Sequence, residues 1–273
     1  MDQALLMKEK GNACFAKHKY SAAIDFYTEA ICLKSDVAAF YTNRALSYLH
    51  LEKWALAQTD CRRAIQLDAS NAKAHYLLGK SLCHNSEYTA GIEAFQAALA
   101  LAAQSSQLKV SFEQEVLAGL RQARKLKWQA AHDIQTSRHE RVTALFHDIV
   151  HQSRTHQLHC ANTSAPQTKA DIHNDHDTVL AHMMELLELQ QSAEKNLVPE
   201  YFLCPIGMDI MEDPVTTPNG VSYDRKWIEA HVARSQIDPL TRESLRASQL
   251  RPNVSLRHAI EDFLTKNPWA YEQ

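Results

Sequence analysis

The sequence predicts a mostly α-helical chain that ends in a small α/β domain. Residues that favour helices, chiefly Ala, Leu, Gln, Lys and Glu, dominate the first two thirds, and the 273 residues contain only 6 Gly and 8 Pro. From residue 199 the composition changes. Six prolines separate short elements there: Pro199, Pro205, Pro214, Pro218, Pro239 and Pro252. We expect a helical repeat region at 1–103, a helical spacer at 104–198 and a compact module at 199–273.

The charge balance and the apolar runs exclude several classes of protein. With 29 Lys and Arg against 32 Asp and Glu, the net charge of −3 provides no broad basic surface, so we expect neither nucleic acid nor a membrane as partner. No signal-peptide pattern starts the chain, and no apolar run reaches the ~20 residues of a membrane helix. We expect a cytoplasmic protein, present also in the nucleus, with no cofactor. Its 6 cysteines contain no Cys-x-x-Cys pair, which favours reduced thiols.

Four sets of positions recur with a period of 34 residues. They are Gly11, Ala45 and Gly79; Ala23, Ala57 and Gly91; Tyr27, Cys61 and Phe95; and Ala30, Ala64 and Ala98. Small residues let two helices approach closely, and a bulky residue fills the space beside them. A two-helix unit of this length resembles the tetratricopeptide repeat. The resemblance implies an α-solenoid of three helix pairs, whose first helices line a groove for extended peptides.

Inward positions of those first helices carry two lysines and two asparagines. Lys8 and Asn12 lie one turn apart on the first, Asn43 lies on the second and Lys73 on the third. The set resembles the carboxylate clamp of chaperone-binding tetratricopeptide domains. That resemblance implies charge-assisted binding of the acidic Glu-Glu-Val-Asp tail of heat-shock chaperones. The alternative is that these side chains only solvate a helix face.

Two aromatic residues, Phe15 and Tyr76, are expected to add an apolar wall for an aliphatic residue of the peptide. Tyr76 and Leu77 replace a Phe-Phe pair of the family, so the chaperone class stays open. Residues 1–103 carry 11 basic and 10 acidic side chains, so placement of charges, rather than their sum, would decide recognition. A general peptide-binding repeat protein without a chaperone link is a further alternative.

The spacer shows helical periodicity without the repeat columns. We expect Leu117, Leu120, Ala123 and Leu126 to cap the solenoid. A long helix should then run through Trp128, Ile134, Val142, Leu145, Phe146 and Ile149. After a break near 162–166, a second apolar stretch contains Val179, Leu180, Met183, Met184, Leu186, Leu187 and Leu189. Because this stretch is too apolar for an isolated helix, we expect an antiparallel hairpin that forms a homodimer.

Nine of the 15 histidines lie between His132 and His182. A metal clip is one interpretation: His156, His159 and Cys160 could share a helix face, with His173 and His176 opposite. The spacing matches no known site and histidines are common in linkers, so we expect no metal.

The module at 199–273 begins with a hairpin signal. Val215-Thr216-Thr217 and Val221-Ser222-Tyr223 flank Pro218-Asn219-Gly220. Asp224 is expected to cap the helix that contains Trp227 and His231, and Asn253 to cap a second helix.

Four motifs occur in order in this module: Cys-Pro-Ile-Gly-Met-Asp-Ile-Met-Glu-Asp-Pro-Val, Gly-Val-Ser-Tyr-Asp-Arg, Asp-Pro-Leu-Thr-Arg and Leu-Arg-Pro-Asn. Together they resemble the U-box of ubiquitin ligases. A zinc-bearing RING domain needs about eight Cys and His ligands. After residue 198 only Cys204, His231 and His258 are available. Cys204 has no base partner in the sequence, so we expect a structural role for it and no thioester on this chain.

The U-box resemblance implies roles for individual residues. Ile206 and Met208 in the first loop, His231 on the helix and Pro239 in the second loop would receive a ubiquitin-conjugating enzyme. Arg242 would hold the thioester-linked ubiquitin in one pose, which is catalysis by orientation. The alternatives are core packing for the apolar residues and a solvated surface arginine.

The combined domains resemble the family of co-chaperone ubiquitin ligases. Membership would imply three partners: chaperone tails, a conjugating enzyme charged with ubiquitin, and misfolded clients. The spacer departs from the family because it is short, rich in His and poor in charge. The rival is a non-enzymatic adaptor whose U-box only scaffolds; the presence of Ile206, Pro239 and Arg242 argues against it.

Overall fold

The computed structural model describes residues 2–104, 110–160, 166–189 and 197–272. The chain divides into two compact units, Met1–Trp128 and Gln129–Gln273. Within the described ranges it forms ten α-helices and one three-stranded sheet. The helices of the first unit are α1 (Gln3–Ala16), α2 (Tyr20–Leu33), α3 (Ala38–His50), α4 (Trp54–Leu67), α5 (Ala72–His84) and α6 (Tyr88–Gln104), followed by the start of α7 (Val110–Cys160). None of the described helices is long and apolar enough to cross a membrane.

Helices α1 to α6 form three antiparallel pairs, and this confirms the predicted tetratricopeptide solenoid. The recurring small residues lie where helices touch. A Cβ atom on Gly11 would come within 2.6 Å of Tyr27 Cε1, and one on Gly79 within 2.9 Å of Phe95 Cδ1. Each glycine therefore admits the aromatic ring of the same helix pair.

The turn inside each helix pair uses a left-handed residue that is not glycine. His18, Glu52 and Ser86 have φ angles of 57°, 57° and 64° and are spaced by the repeat period. The first residue of the second helix stacks on the last residue of the next first helix in two places: Tyr20 on His50 and Trp54 on His84.

Helix α7 is continuous over 51 residues, which confirms the predicted long helix. Its first turns cap the solenoid: Val116, Leu120 and Ala123 are buried with Phe95 and Ala98 of α6. The cap was predicted through Leu117 and Leu126, but both are only half-buried. The buried stripe is displaced by one residue at its start, onto Val116.

The second unit begins with the rest of α7 and with α8 (Pro166–Leu189). Ser153 and His176 are joined by a hydrogen bond of 3.2 Å, and Arg154 forms an ion pair with Asp177. These contacts join the end of α7 to the first half of α8, as an antiparallel hairpin requires. The predicted break at 162–166 lies outside the described residues except for Pro166, as do the side chains of Leu186, Leu187 and Leu189.

The C-terminal module packs two helices and three short strands around one core. Strands β1 (Pro214–Thr216), β2 (Ser222–Asp224) and β3 (Arg251–Pro252) pair antiparallel in the order β2-β1-β3. The hairpin prediction is confirmed, although the strands are shifted by one residue from the predicted runs. Gly220 has a φ of 82° in the turn.

The helices of this module are α9 (Arg225–Ser235) and α10 (Val254–Lys266). Asp224 and Asn253 cap them as predicted, the latter through a 3.1 Å bond to the Leu256 amide. The two helices and the sheet share a core that includes Val215, Tyr223, Ile228 and Ile260.

Candidate functional site

The two clamp asparagines are in direct contact across the first two helix pairs. The amide Nδ2 of Asn43 donates to Oδ1 of Asn12 at 3.2 Å, and the Tyr27 hydroxyl donates to the same oxygen at 2.8 Å. Burial and the neighbouring Cys14 raise the pKa of Tyr27 to about 12, so its hydroxyl stays a donor. Because Oδ1 of Asn12 is occupied twice, its NH₂ group is the end that remains for an incoming acceptor.

A buried ion pair stabilises the helix next to Asn43. Arg44 donates to both carboxylate oxygens of Asp60 at 2.7 Å and to the Thr28 hydroxyl at 3.0 Å. These bonds tie α3 to α4 and α2. They therefore hold the α3 backbone that presents Asn43.

The two clamp lysines lie on the first and third of the inner helices. Lys8 is half-buried one turn before Asn12 on α1, and Lys73 is exposed near the start of α5. Desolvation by the surrounding protein lowers the pKa of Lys73, while Glu115 of α7 acts in the opposite direction. The structure thus supplies two ammonium groups and two amides from three successive inner helices, as the sequence predicts.

The two predicted wall residues belong to separate aromatic clusters. Phe15 contacts Tyr20 and His50, each at 5.3 Å between ring centroids. Tyr76 contacts Phe95 at 5.8 Å and Phe112 at 5.6 Å. Within the described part of the chain no ring contact joins Phe15 to Tyr76, so they do not form one continuous wall.

Sequence reasoning missed two α7 residues near the clamp. Phe112 packs against Tyr76, and Glu115 acts on the charge of Lys73. Both lie on the capping helix, outside the 34-residue columns. The signal that could have found them is their helical phase, because they lie one turn and one residue before the buried Val116.

Two loops of the C-terminal module share one backbone design. Loop 1 comprises residues 204–209 and loop 2 residues 238–243. In loop 1 the Met208 amide donates to the Cys204 carbonyl at 2.8 Å, and in loop 2 the Arg242 amide donates to the Asp238 carbonyl at 2.9 Å. Met208 and Arg242 are both left-handed, with φ of 61° and 60°. The loops are therefore equivalent position by position, with proline second in each.

Each loop is anchored by its first side chain. Cys204 is fully buried, and its Sγ accepts a hydrogen bond from the Asp224 amide at 3.3 Å. Asp238 is also buried, and its Oδ1 accepts from the Tyr223 hydroxyl at 2.8 Å and from the Leu240 and Thr241 amides at 2.9 and 3.1 Å.

The charge of Asp238 depends on these bonds. Burial alone would raise the pKa of Asp238, but the hydrogen bonds outweigh it and the pKa lies below its ordinary value. Among the described residues there is no group of three or more metal ligands. In the structure the loops are held by hydrogen bonds and packing.

The predicted docking residues lie on these loops and on α9. Met208 is 71% exposed, Arg242 is exposed, and Ile206, His231 and Pro239 are half-buried. The equivalence of the loops adds a residue that sequence reasoning missed. Leu240 holds in loop 2 the place of Ile206 in loop 1, and it is 59% exposed. Aligning the two loops in the sequence could have identified it.

Comparisons with known proteins agree with this division. The tetratricopeptide repeat model matches residues 42–106, and the U-box domain model matches residues 198–269. The E3 ubiquitin-protein ligase CHIP of Arabidopsis thaliana is 33% identical over 268 residues, covering 97% of this chain and 95% of the relative. The E3 ubiquitin-protein ligase PUB24 of the same plant is 39% identical over 80 residues, covering 29% of this chain and 18% of PUB24. Among solved structures, the first TPR of Spaghetti (RPAP3) bound to HSP90 peptide SRMEEVD is 31% identical, with a TM-score of 0.40, covering 45% of this chain and 92% of that chain.

A tetratricopeptide domain followed by a U-box without metal ligands in its loops defines the class of protein: the chain is a U-box E3 ubiquitin-protein ligase. Because the CHIP relative matches over nearly the whole length of both chains, the chain belongs to the CHIP family of E3 ubiquitin-protein ligases.

Proposed function

We propose that the repeat domain binds the acidic C-terminal tail of a heat-shock chaperone, so that the U-box ubiquitinates misfolded clients of that chaperone. The observation that supports this most directly is the Asn12–Asn43 contact. It leaves the Asn12 NH₂ as a fixed donor, with Lys8 one turn away. A free C-terminal carboxylate has the acceptor charge that such donors and ammonium groups stabilise.

A peptide titration tests the clamp. A Glu-Glu-Val-Asp peptide with a free C-terminus should bind, and its C-terminal amide should bind much more weakly. Lys8→Ala and Lys73→Ala each remove one charged donor from an open groove, so each should weaken binding by about 1.5–3 kcal/mol, roughly tenfold or more. Lys53→Ala is the matched control, because Lys53 is an exposed lysine at the turn between α3 and α4.

Two results would remove the clamp from the proposal. One is equal affinity for the acid and the amide, which would leave a general peptide-binding groove. The other is full binding by both lysine variants with unchanged thermal unfolding.

In the U-box, we propose that ubiquitin transfer proceeds by orientation. The residues proposed to dock the conjugating enzyme are Ile206, Met208, His231 and Pro239, with Leu240 added by the loop equivalence. Arg242 stands at the exposed left-handed position of loop 2, from which its guanidinium can reach two partners at once. The buried Cys204 thiol is engaged as an acceptor, which supports a mechanism without a thioester on this chain.

Docking and discharge are separable in one experiment. Ile206→Ala should weaken binding of the conjugating enzyme, whereas Arg242→Ala should bind nearly normally but discharge the charged thioester onto free lysine more slowly. Single-turnover discharge beside a binding titration measures both steps. Normal discharge by Arg242→Ala, or a ubiquitin thioester trapped on Cys204, would refute the mechanism.

We further propose that the chain forms a homodimer through an apolar stripe on α7. The stripe consists of Ile134, Val142, Leu145 and Ile149, which are all exposed. Their spacing places them on one side of the helix, and Val179 of α8 is exposed as well. A second copy of the same stripe would cover this apolar surface.

A further inference from the structure

The indole of Trp227 touches loop 1 at the one place where that loop has no side chain. Gly207 stands between Ile206 and Met208. A Cβ atom on Gly207 would overlap Nε1 of Trp227 and lie 2.7 Å from its Cε2 and 2.8 Å from its Cδ1. Cβ atoms do not approach other atoms so closely, so glycine lets the edge of the indole rest on the loop backbone.

The register of α9 places Trp227 beside a proposed docking residue. Ile228 and Val232 are the buried residues of this helix and face the core. Trp227 and His231 are one turn apart, so they share the adjacent side of the helix. Together with Ile206 and Met208, they make one surface that passes from α9 onto loop 1.

Much of this large aromatic side chain stays in contact with solvent. Trp227 is 39% exposed in spite of its contact with Gly207, and the nearby Met208 is exposed even more. The ammonium group of Lys226 lies 5.7 Å from the ring centroid and covers part of the ring. Exposed apolar residues that adjoin each other mark interaction surfaces, and tryptophan is enriched among the residues that dominate binding energy.

We propose that Trp227 contacts the ubiquitin-conjugating enzyme directly and extends the docking groove by one turn of α9. The occupant is the conjugating enzyme because the indole is continuous with Ile206, Met208 and His231; the inference therefore rests on the proposed docking groove. The matching side chain on the enzyme is apolar, since the indole offers apolar area. Lys226 beside the ring disfavours a basic side chain there, so this contact selects among conjugating enzymes.

Tryptophan emission tests the contact in the full-length chain. A conjugating enzyme that supports autoubiquitination is titrated into the wild type, Trp227→Phe and Trp269→Phe. Trp269 is the matched control, because it is the other tryptophan of the U-box and packs on Phe263. Binding should shift the emission of the wild type and of Trp269→Phe to shorter wavelength, and Trp227→Phe should lose the shift.

Affinity supplies the second readout. Trp227→Ala should weaken binding about tenfold, whereas Trp227→Phe, which keeps an aromatic ring, should stay within about threefold of the wild type. The emission shift needs no destabilising substitution, so it tests the contact even if Trp227→Ala folds poorly.

The two levels of the proposal fail differently. An unchanged emission spectrum on binding, while Ile206→Ala still weakens binding, would overturn the Trp227 contact and leave the docking groove in place. Unchanged binding by Ile206→Ala as well would overturn the docking groove itself.

Discussion

Replacing Asp238 should loosen loop 2 without exposing the rest of the core. Its Oδ1 accepts from the buried Tyr223 hydroxyl and from the Leu240 and Thr241 amides. Asp238→Ala leaves all three donors without this acceptor. A hydrogen bond to a charged group contributes about 1.5–3 kcal/mol, and the two amides can regain part of that from water, so the loss should be about 3–5 kcal/mol. That is much of the stability of about 5–15 kcal/mol typical of a domain.

Asp238→Asn is the more informative variant because it keeps an acceptor oxygen and removes only the charge. We expect it to cost about 1–2 kcal/mol, a fall of roughly 4–16 °C in the melting temperature of the U-box. Calorimetry of the full-length chain measures this transition. Asp209→Asn is the control, since it makes the same chemical change on an exposed carboxylate of loop 1. Discharge of charged conjugating enzyme at 25 °C should also be slower for Asp238→Asn, because loop 2 carries Arg242.

The pH dependence gives a further check with a definite sign. The pKa of Asp238 is lower in the folded protein than its ordinary value, which is about 3.9 in the unfolded chain. Its charge therefore stabilises the fold above about pH 4, and the contribution is lost as the pH falls through the lower, folded pKa. The gap in melting temperature between wild type and Asp238→Asn should narrow over that range. A gap that is absent at pH 7, or that stays constant down to pH 3, would refute this account of loop 2.

Three other substitutions follow from the same geometry. Glu52→Gly should raise the stability of the repeat domain by about 1 kcal/mol, because a left-handed residue with a Cβ costs about 1–2 kcal/mol, whereas Glu52→Ala should give no gain in thermal unfolding. Cys204→Ser should lower U-box stability by about 1–2 kcal/mol, because a shorter hydroxyl replaces a buried sulfur, yet leave discharge near normal where the domain is folded. Leu145→Asp should give a monomer by light scattering while Ala144→Asp, on another side of α7, stays dimeric; two dimers, or two monomers, would argue against the stripe.

The solenoid was predictable because its repeat is written in residue size. Gly11 and Tyr27 show the reason: the aromatic ring occupies the space that a Cβ on the glycine would need. Such a pair leaves the same mark in every repeat. The clamp residues were also predictable, because helical phase alone places Lys8 near Asn12 and the repeat then places Asn43 on the next inner helix.

The turns of the repeats were not predictable in the same way. His18, Glu52 and Ser86 adopt a conformation that usually signals glycine, so the sequence carries no local sign of it. Packing of the flanking helices imposes the conformation on whichever residue stands there. The clamp neighbours Phe112 and Glu115 were missed for a related reason, since α7 lies outside the repeat columns and only tertiary contact brings it to Tyr76 and Lys73.

The two U-box loops show why equivalent structure need not look alike in sequence. Cys204 and Asp238 begin their loops and anchor them, one through a thiol that accepts from the Asp224 amide and the other through a carboxylate with three donors. What the loops share is the backbone path and the left-handed residue, Met208 in one and Arg242 in the other. The same geometry thus presents an apolar side chain on loop 1 and a cation on loop 2. A docking surface with a separate orienting charge can therefore arise from one loop design used twice, because only the exposed side chain differs.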